Sequence, residues 1–185
     1  SRTEAVVVLD EAYVEYMDPA RRAPSLQWLE EFPNLILTRT FSKAYGLAGL
    51  RVGYAACRPE VADLLNRVRQ PFNVNSLALV AAAAALDDTD FLARAKRVND
   101  DGMAQFTEGF RSLGLEWISS AGNFVAVRVA PGGDAGSVFQ ALLHKGVIVR
   151  PVANYAMPEY LRISIGLPDQ NARCLAALAE ILGKS

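Results

Sequence analysis

The residues best suited to chemistry in this sequence fall in two short segments. The first is Asp10-Glu11-Ala12-Tyr13; the second is Thr40-Phe41-Ser42-Lys43, followed across a Gly-containing turn by Arg51. Each segment follows an apolar run that reads as a strand, Ala5–Leu9 and Asn34–Thr38. In open α/β sheets ligands bind outside the carboxyl ends of the strands, where both segments would meet. A carboxylate, a phenol, two hydroxyls, an amine and a guanidinium at one sheet edge could hold charge and move protons, which makes them a candidate active site. Taken singly, each has a plainer reading. An Asp after a strand caps a turn, a loop Lys is solvated, Thr and Ser form turns, and an Arg pairs with a surface acid. Their coincidence at one edge puts an active site on an equal footing with these plainer readings.

Several other chemistries are excluded. The single histidine, His144, lies inside a predicted helix and reads as a helix-end surface residue, so neither a His-based metal cage nor a Ser-His-Asp triad is available. No Gly-x-Gly-x-x-Gly, Walker A or Gly-x-Ser-x-Gly pattern occurs. Cys57 and Cys174 are too far apart in sequence for a disulfide framework or a zinc site, and a reducing cytoplasm is the expected location. With 19 basic and 20 acidic residues there is no electrostatic footprint for nucleic acid or an anionic membrane. The longest uncharged stretch, Gln70–Leu86, is interrupted by Pro71, Asn73, Asn75 and Ser76 and does not read as a membrane span. Ser1-Arg2-Thr3-Glu4 lacks the apolar core of a signal peptide. A chain of 185 residues, 51% hydrophobic, is long enough for one domain with a small companion.

The elements that must position these residues read as α/β. Val6-Val7-Val8-Leu9 predicts a strand covered on both faces, as in a parallel sheet. A short helix from Ser25 to Phe32, ended by Pro33, leads to the strand Asn34–Thr38, and this crossover span makes the two strands parallel. The link from Thr40 to Arg51 is Gly-rich and too short for a helical crossover, so the third strand, Val52–Cys57, runs antiparallel. Pro59 opens a helix with Val61, Leu64, Leu65 and Val68 on one face, and Ser76–Leu86 reads as a buried helix, apolar all round. Asp88 or Thr89 caps a long helix whose stripe is Phe91, Ala95, Val98, Gly102, Phe106, Phe110 and Leu113. A smaller unit follows. Its strands are Phe124–Val127, Val147–Val149 and Leu161–Ile165. A helix capped by Asp134 ends at Gly146, and a closing helix stops at Gly183.

The two segments also resemble a known family. Asp10-Glu11-Ala12-Tyr13 with Thr40-Phe41-Ser42-Lys43-Ala44-Tyr45-Gly46-Leu47-Ala48-Gly49-Leu50-Arg51-Val52-Gly53-Tyr54 is similar to the fold type I pyridoxal-phosphate aminotransferases. The closer resemblance is to the histidinol-phosphate aminotransferase family. It extends through Gly122-Asn123-Phe124, Gly146–Pro151 and Tyr160–Gly166, and so covers essentially the whole chain. It implies that residues 1–113 are the C-terminal part of a pyridoxal-phosphate-binding large domain, a mostly parallel sheet with one antiparallel strand. Residues 114–185 would be a small α+β domain.

The resemblance further implies roles for single residues. Lys43 matches the lysine that bonds to the cofactor and then shuttles a proton, for which the amine must be neutral. Asp10 matches the carboxylate that keeps the pyridine nitrogen protonated, so that the ring can accept electrons. Tyr13 matches the tyrosine that hydrogen-bonds the ring's phenolic oxygen, and Thr40, Ser42 and Arg51 match the phosphate anchors. Arg162 is similar to the arginine that meets the α-carboxylate of glutamate or 2-oxoglutarate, or the phosphate of histidinol phosphate. Arg150 resembles its companion in phosphate recognition, and Asn123 a substrate-side asparagine.

The implied reaction exchanges an amino group between glutamate and imidazole-acetol phosphate, in a cytoplasmic homodimer. The family is roughly twice this long, so a missing N-terminal half, and little activity from these residues alone, are also expected. An aromatic aminotransferase, a threonine-phosphate decarboxylase and a non-catalytic association or ligand-sensing module are the alternatives.

Overall fold

Strand β1 (Val7–Asp10) opens on the β-branched pair Val7-Val8 and pairs parallel with β2 (Leu35–Thr40), the two joined through helix α1 (Ser25–Glu31). The computed structural model describes residues 3–184, which divide into two compact units, residues 3–95 and 96–184. In the first unit β3 (Gly53–Cys57) closes the sheet antiparallel to β2, in the order β1-β2-β3. The register sets Asp10 beside Thr38 and Thr40 beside Gly53. A Cβ at Gly53 would lie 2.7 Å from the Arg39 carbonyl oxygen, so only glycine allows the two strands to pair this closely.

Helices α2 (Pro59–Val68) and α3 (Ser76–Asp87) follow, the first with proline at its first turn and the second capped by Asn75, whose Oδ1 accepts from Leu77 N at 2.8 Å. One small cluster of this unit buries Phe41, Val52, Ala78 and Ala82, packed by Tyr45, Leu47, Val74 and Ala85, and β2 buries Leu35, Ile36 and Leu37 besides. Two expectations from the sequence are corrected here. Val6, Val7 and Val8 do not form a strand covered on both faces, because all three are exposed. Nor is α3 buried all round: Ala78 and Ala82 are buried, while Leu77, Leu79 and Val80 are exposed. An apolar run sets what an element can bury, but neighbouring elements decide what it does bury.

Helix α4 (Thr89–Ser112) begins at an Asp88 carboxylate that accepts from Phe91 N at 2.9 Å. Within the second unit its apolar stripe is buried at Gly102, Phe106 and Phe110. The sheet here is fully antiparallel, in the order β4 (Trp117–Ile118), β5 (Phe124–Arg128), β7 (Tyr160–Ser164), β6 (Arg150–Pro151). Alternation places Val125, Val127, Leu161 and Ile163 in the core with Phe106, Phe110, Leu142 and Leu178. The last two residues come from α5 (Gly136–His144) and α6 (Pro168–Leu182). Residues 147–149 make no ladder; the strand expected there is confined to Arg150–Pro151. Exposed His144 ends α5, and among the described residues no helix is long and apolar enough to cross a membrane.

Candidate active site at the strand ends

Asp10 leaves β1 with its carboxylate already engaged: Oδ1 accepts from Ala12 N at 3.1 Å and from the Thr38 hydroxyl at 3.4 Å. The next residue continues the pairing with β2, Glu11 N donating to the Thr38 carbonyl at 2.9 Å. The Asp10 carboxylate is thereby fixed relative to the end of β2. Tyr13 then precedes a single 3-10 turn, Val14–Tyr16.

At the end of β2 the chain is pinned by burial. Phe41 and Ala44 are buried, and the Phe41 ring lies 5.0 Å from that of Tyr45. Between them Lys43 is exposed, its Nζ 5.5 Å from the centre of the Tyr13 ring. Among the described residues no hydrogen-bond or ion-pair partner engages the Lys43 amine, which leaves it available to a ligand. Gly46 N donates to the Lys43 carbonyl at 3.0 Å, closing the turn with Gly46 at φ 71°.

The Ser42 side carries the hydroxyls and the guanidinium. Ser42 N donates to Thr40 Oγ1 at 3.0 Å, and Arg51 Nη1 donates to Ser42 Oγ at 3.2 Å and to the Ala48 carbonyl at 2.9 Å. Arg51 occupies the left-handed backbone region, φ 53° and ψ 49°, a conformation costly for a residue with a side chain. The structure therefore brings Asp10, Tyr13, Thr40, Ser42, Lys43 and Arg51 to one sheet edge.

Further residues stand behind these. The Arg39 guanidinium pairs with Glu11 Oε2 through Nη2 at 2.8 Å and Nε at 2.9 Å, with the Tyr54 phenol close enough to act on its charge. Burial opposes the Arg39 charge, but these partners outweigh it and hold the guanidinium above its ordinary value. Glu15 is buried, with Oε2 lacking any hydrogen-bond partner, and desolvation pushes its carboxyl up despite the nearby Arg39 and Arg22. Burial likewise raises the Tyr45 phenol. The sequence reading passed over Glu11, Glu15, Arg39 and Tyr54, although all four lie inside or beside the motif segments.

The second unit carries its own cluster. Arg162 on β7 lies opposite Arg150 on β6, with Ala126 on its other side in β5. The Arg162 guanidinium sits over the Phe124 ring, 5.0 Å from its centre. Asn123 anchors the start of β5, its carbonyl accepting from Ile165 N at 2.9 Å. No group of side chains suited to a metal ion occurs among the described residues.

A parallel strand pair answered by one antiparallel strand, with a lysine loop at its carboxyl edge, agrees with known proteins. Residues 1–178 match the model of the aminotransferase class I and II family, and the chain belongs to that family. Over 179 residues it is 63% identical to histidinol-phosphate aminotransferase 2 of Pseudomonas aeruginosa, covering 97% of this chain and 48% of that protein. Histidinol-phosphate aminotransferase 1 of Cupriavidus pinatubonensis is 60% identical over 180 residues, with the same shares. The chain thus spans about half the length of the curated relatives it matches.

Among solved structures, histidinol-phosphate aminotransferase from Sinorhizobium meliloti in complex with pyridoxal-5'-phosphate superposes with TM-score 0.83 at 34% identity, covering 95% of this chain and 48% of that one. L-threonine-O-3-phosphate decarboxylase from Porphyromonas gingivalis gives 0.82 at 26%, covering 97% and 55%. The α/β architecture is consistent with a C-terminal part of the fold of the fold type I aminotransferases.

Proposed function

We propose that this chain forms part of a pyridoxal-phosphate enzyme that transfers an amino group between glutamate and imidazole-acetol phosphate. The observation that carries the proposal is the unpartnered Lys43 amine over Tyr13, beside a fixed carboxylate on one strand and a hydroxyl–guanidinium cluster on the next. Identity of 63% to a histidinol-phosphate aminotransferase supports this substrate pair over the decarboxylase alternative, whose solved representative is 26% identical.

The donor set fits the cofactor group by group. Ser42, Thr40 and the Arg51 guanidinium are the donors a phosphate dianion requires, Asp10 is an acceptor for a protonated ring nitrogen, and the Tyr13 phenol is a donor for the ring oxygen. When bound, the cofactor supplies an aldehyde that carries the amino group and a ring that draws electrons from the substrate α-carbon.

The chain's own residues do the rest. Arg51 and Ser42 hold the phosphate, and Asp10, braced by Ala12 N and Thr38, keeps the ring nitrogen protonated. Lys43, with no competing partner, moves the proton at the substrate α-carbon. Arg162 and Arg150 receive the anionic end of the substrate, a carboxylate from glutamate or the phosphate of histidinol phosphate, and Asn123 is a further substrate-side residue of this reading. Homodimeric assembly and a cytoplasmic location belong to the same proposal and rest on the family likeness.

The test is spectroscopic. The protein is mixed with pyridoxal phosphate, and histidinol phosphate or phenylalanine is then added. A yellow lysine-bound form absent in Lys43→Ala, bleached by histidinol phosphate in preference to phenylalanine, is expected. An identical band in Lys43→Ala overturns the lysine assignment, and no bleaching by histidinol phosphate overturns the substrate.

A further inference from the structure

Arg150 and Arg162 face each other directly across β6 and β7. Like charges in such a position destabilise a sheet unless something offsets them. Neither guanidinium forms a carboxylate ion pair among the described residues. The partner Arg162 does have is aromatic: its guanidinium carbon lies 5.0 Å from the centre of the Phe124 ring. A ring face attracts the cation without consuming its N–H donors, so the planar fork stays free for an anion. A carboxylate in the same place would hold Arg162 and compete with any anionic ligand.

The ring is itself fixed from the helix behind it. Asn99 on α4 is buried, and its Nδ2 donates to the Gly122 carbonyl at 3.3 Å. Gly122 N donates to Ser120 Oγ at 3.1 Å, and Ile165 N to the Asn123 carbonyl at 2.9 Å. Phe124 then enters the ladder opposite Ser164, two residues along β7 from Arg162 and on the same face.

We infer that Phe124 is a positioning residue, a platform that orients the Arg162 guanidinium toward the substrate's anionic group while leaving its donors unspent, with Asn99 holding the platform in place. The inference rests on the reading of Arg162 and Arg150 as the anion receptors.

Inorganic phosphate is the probe, titrated into the protein while the Arg162 Nε–Hε NMR signal, assigned with Arg162→Gln, is followed. Saturable binding in the unsubstituted protein is expected. In Phe124→Leu, which keeps apolar bulk but removes the ring face, affinity falls by about three- to tenfold. Phe124→Tyr, which restores a ring face, binds within about twofold of the original. Full affinity in Phe124→Leu overturns the platform alone. Failure of Phe124→Tyr to restore binding overturns the ring-face interaction. Absence of any Arg162-dependent phosphate binding in the unsubstituted protein overturns the receptor reading and the platform with it, and is recognised because no substitution is needed to see it.

Discussion

Arg39 and Glu11 form a two-bond ion pair, 2.8 and 2.9 Å, between the residue before Thr40 and the residue after Asp10. The pair ties the two segments that carry the candidate cofactor ligands, and the Glu11 side chain is only 8% exposed. Removing one partner strands a largely buried charge, which is far more costly than losing an exposed pair. Arg39→Ala is expected to lower unfolding stability by about 1–3 kcal/mol. Glu11→Gln with Arg39→Met together should cost less than either change alone. Urea denaturation of the four variants checks this, and additive losses in the double variant would contradict it.

Arg51 combines an unfavourable backbone with a side chain that reaches Ser42. Arg51→Gly relieves the left-handed strain and removes the guanidinium. Retained or slightly raised thermal stability is expected, with pyridoxal phosphate affinity reduced by about tenfold or more. Absorbance titration and thermal melts separate the two effects, and unaltered affinity would remove Arg51 from the phosphate anchors.

Glu15 predicts a pH signature with a definite sign. Its carboxyl is raised in the folded state by burial, so folding favours the protonated form. Its contribution is fully present below the unfolded value of 4.5 and is lost as pH rises through the folded value. Glu15→Gln should therefore gain stability relative to the unsubstituted protein on going from pH 4 to pH 7. Glu159, lowered by its bonds to Arg128 and Gly132 N, has the opposite sign: it stabilises above the unfolded value, and that is lost as pH falls through the folded one. Urea midpoints at several pH values distinguish the two trends.

Gly102 on α4 packs tightly against Ile165, just beyond β7, and Asn171 of α6. A Cβ there would lie 2.4 Å from Ile165 Cγ2 and 2.8 Å from Asn171 Nδ2, and Asn171 is fully buried. Gly102→Ala is expected to destabilise by about 1–3 kcal/mol, even though alanine is the better helix former. A stability gain in thermal or urea unfolding would show that the helix can shift outward at little cost.

The Cys174 thiol is pushed up to about 11 by burial alone, so little thiolate exists at neutral pH. Cys57, half-buried, is expected to react first with a thiol reagent at pH 8, which mass spectrometry after partial labelling checks.

Much of the architecture was legible because its determinants are local. The short Gly-rich link from Thr40 to Arg51 predicted the reversal of β3, since it leaves no room for a crossover helix. Asp88 before the α4 stripe and Gly183 after α6 marked helix ends through capping chemistry. Residues 147–149 misled for a physical reason: Val-Ile-Val has strand propensity, but pairing needs a partner, and only Arg150 and Pro151 meet β7.

Residue order and strand period are enough to place Asp10, Tyr13, Thr40, Ser42, Lys43 and Arg51 at the carboxyl ends of β1 and β2. How those groups are held depends on contacts made in the folded chain. The Glu11–Arg39 pair, the unpartnered Glu15 oxygen, the exposed faces of β1 and α3 and the Phe124 ring under Arg162 all join or separate residues remote in sequence. Burial and pairing belong to the neighbours a side chain meets in the fold, and residue type sets only which meetings are favourable.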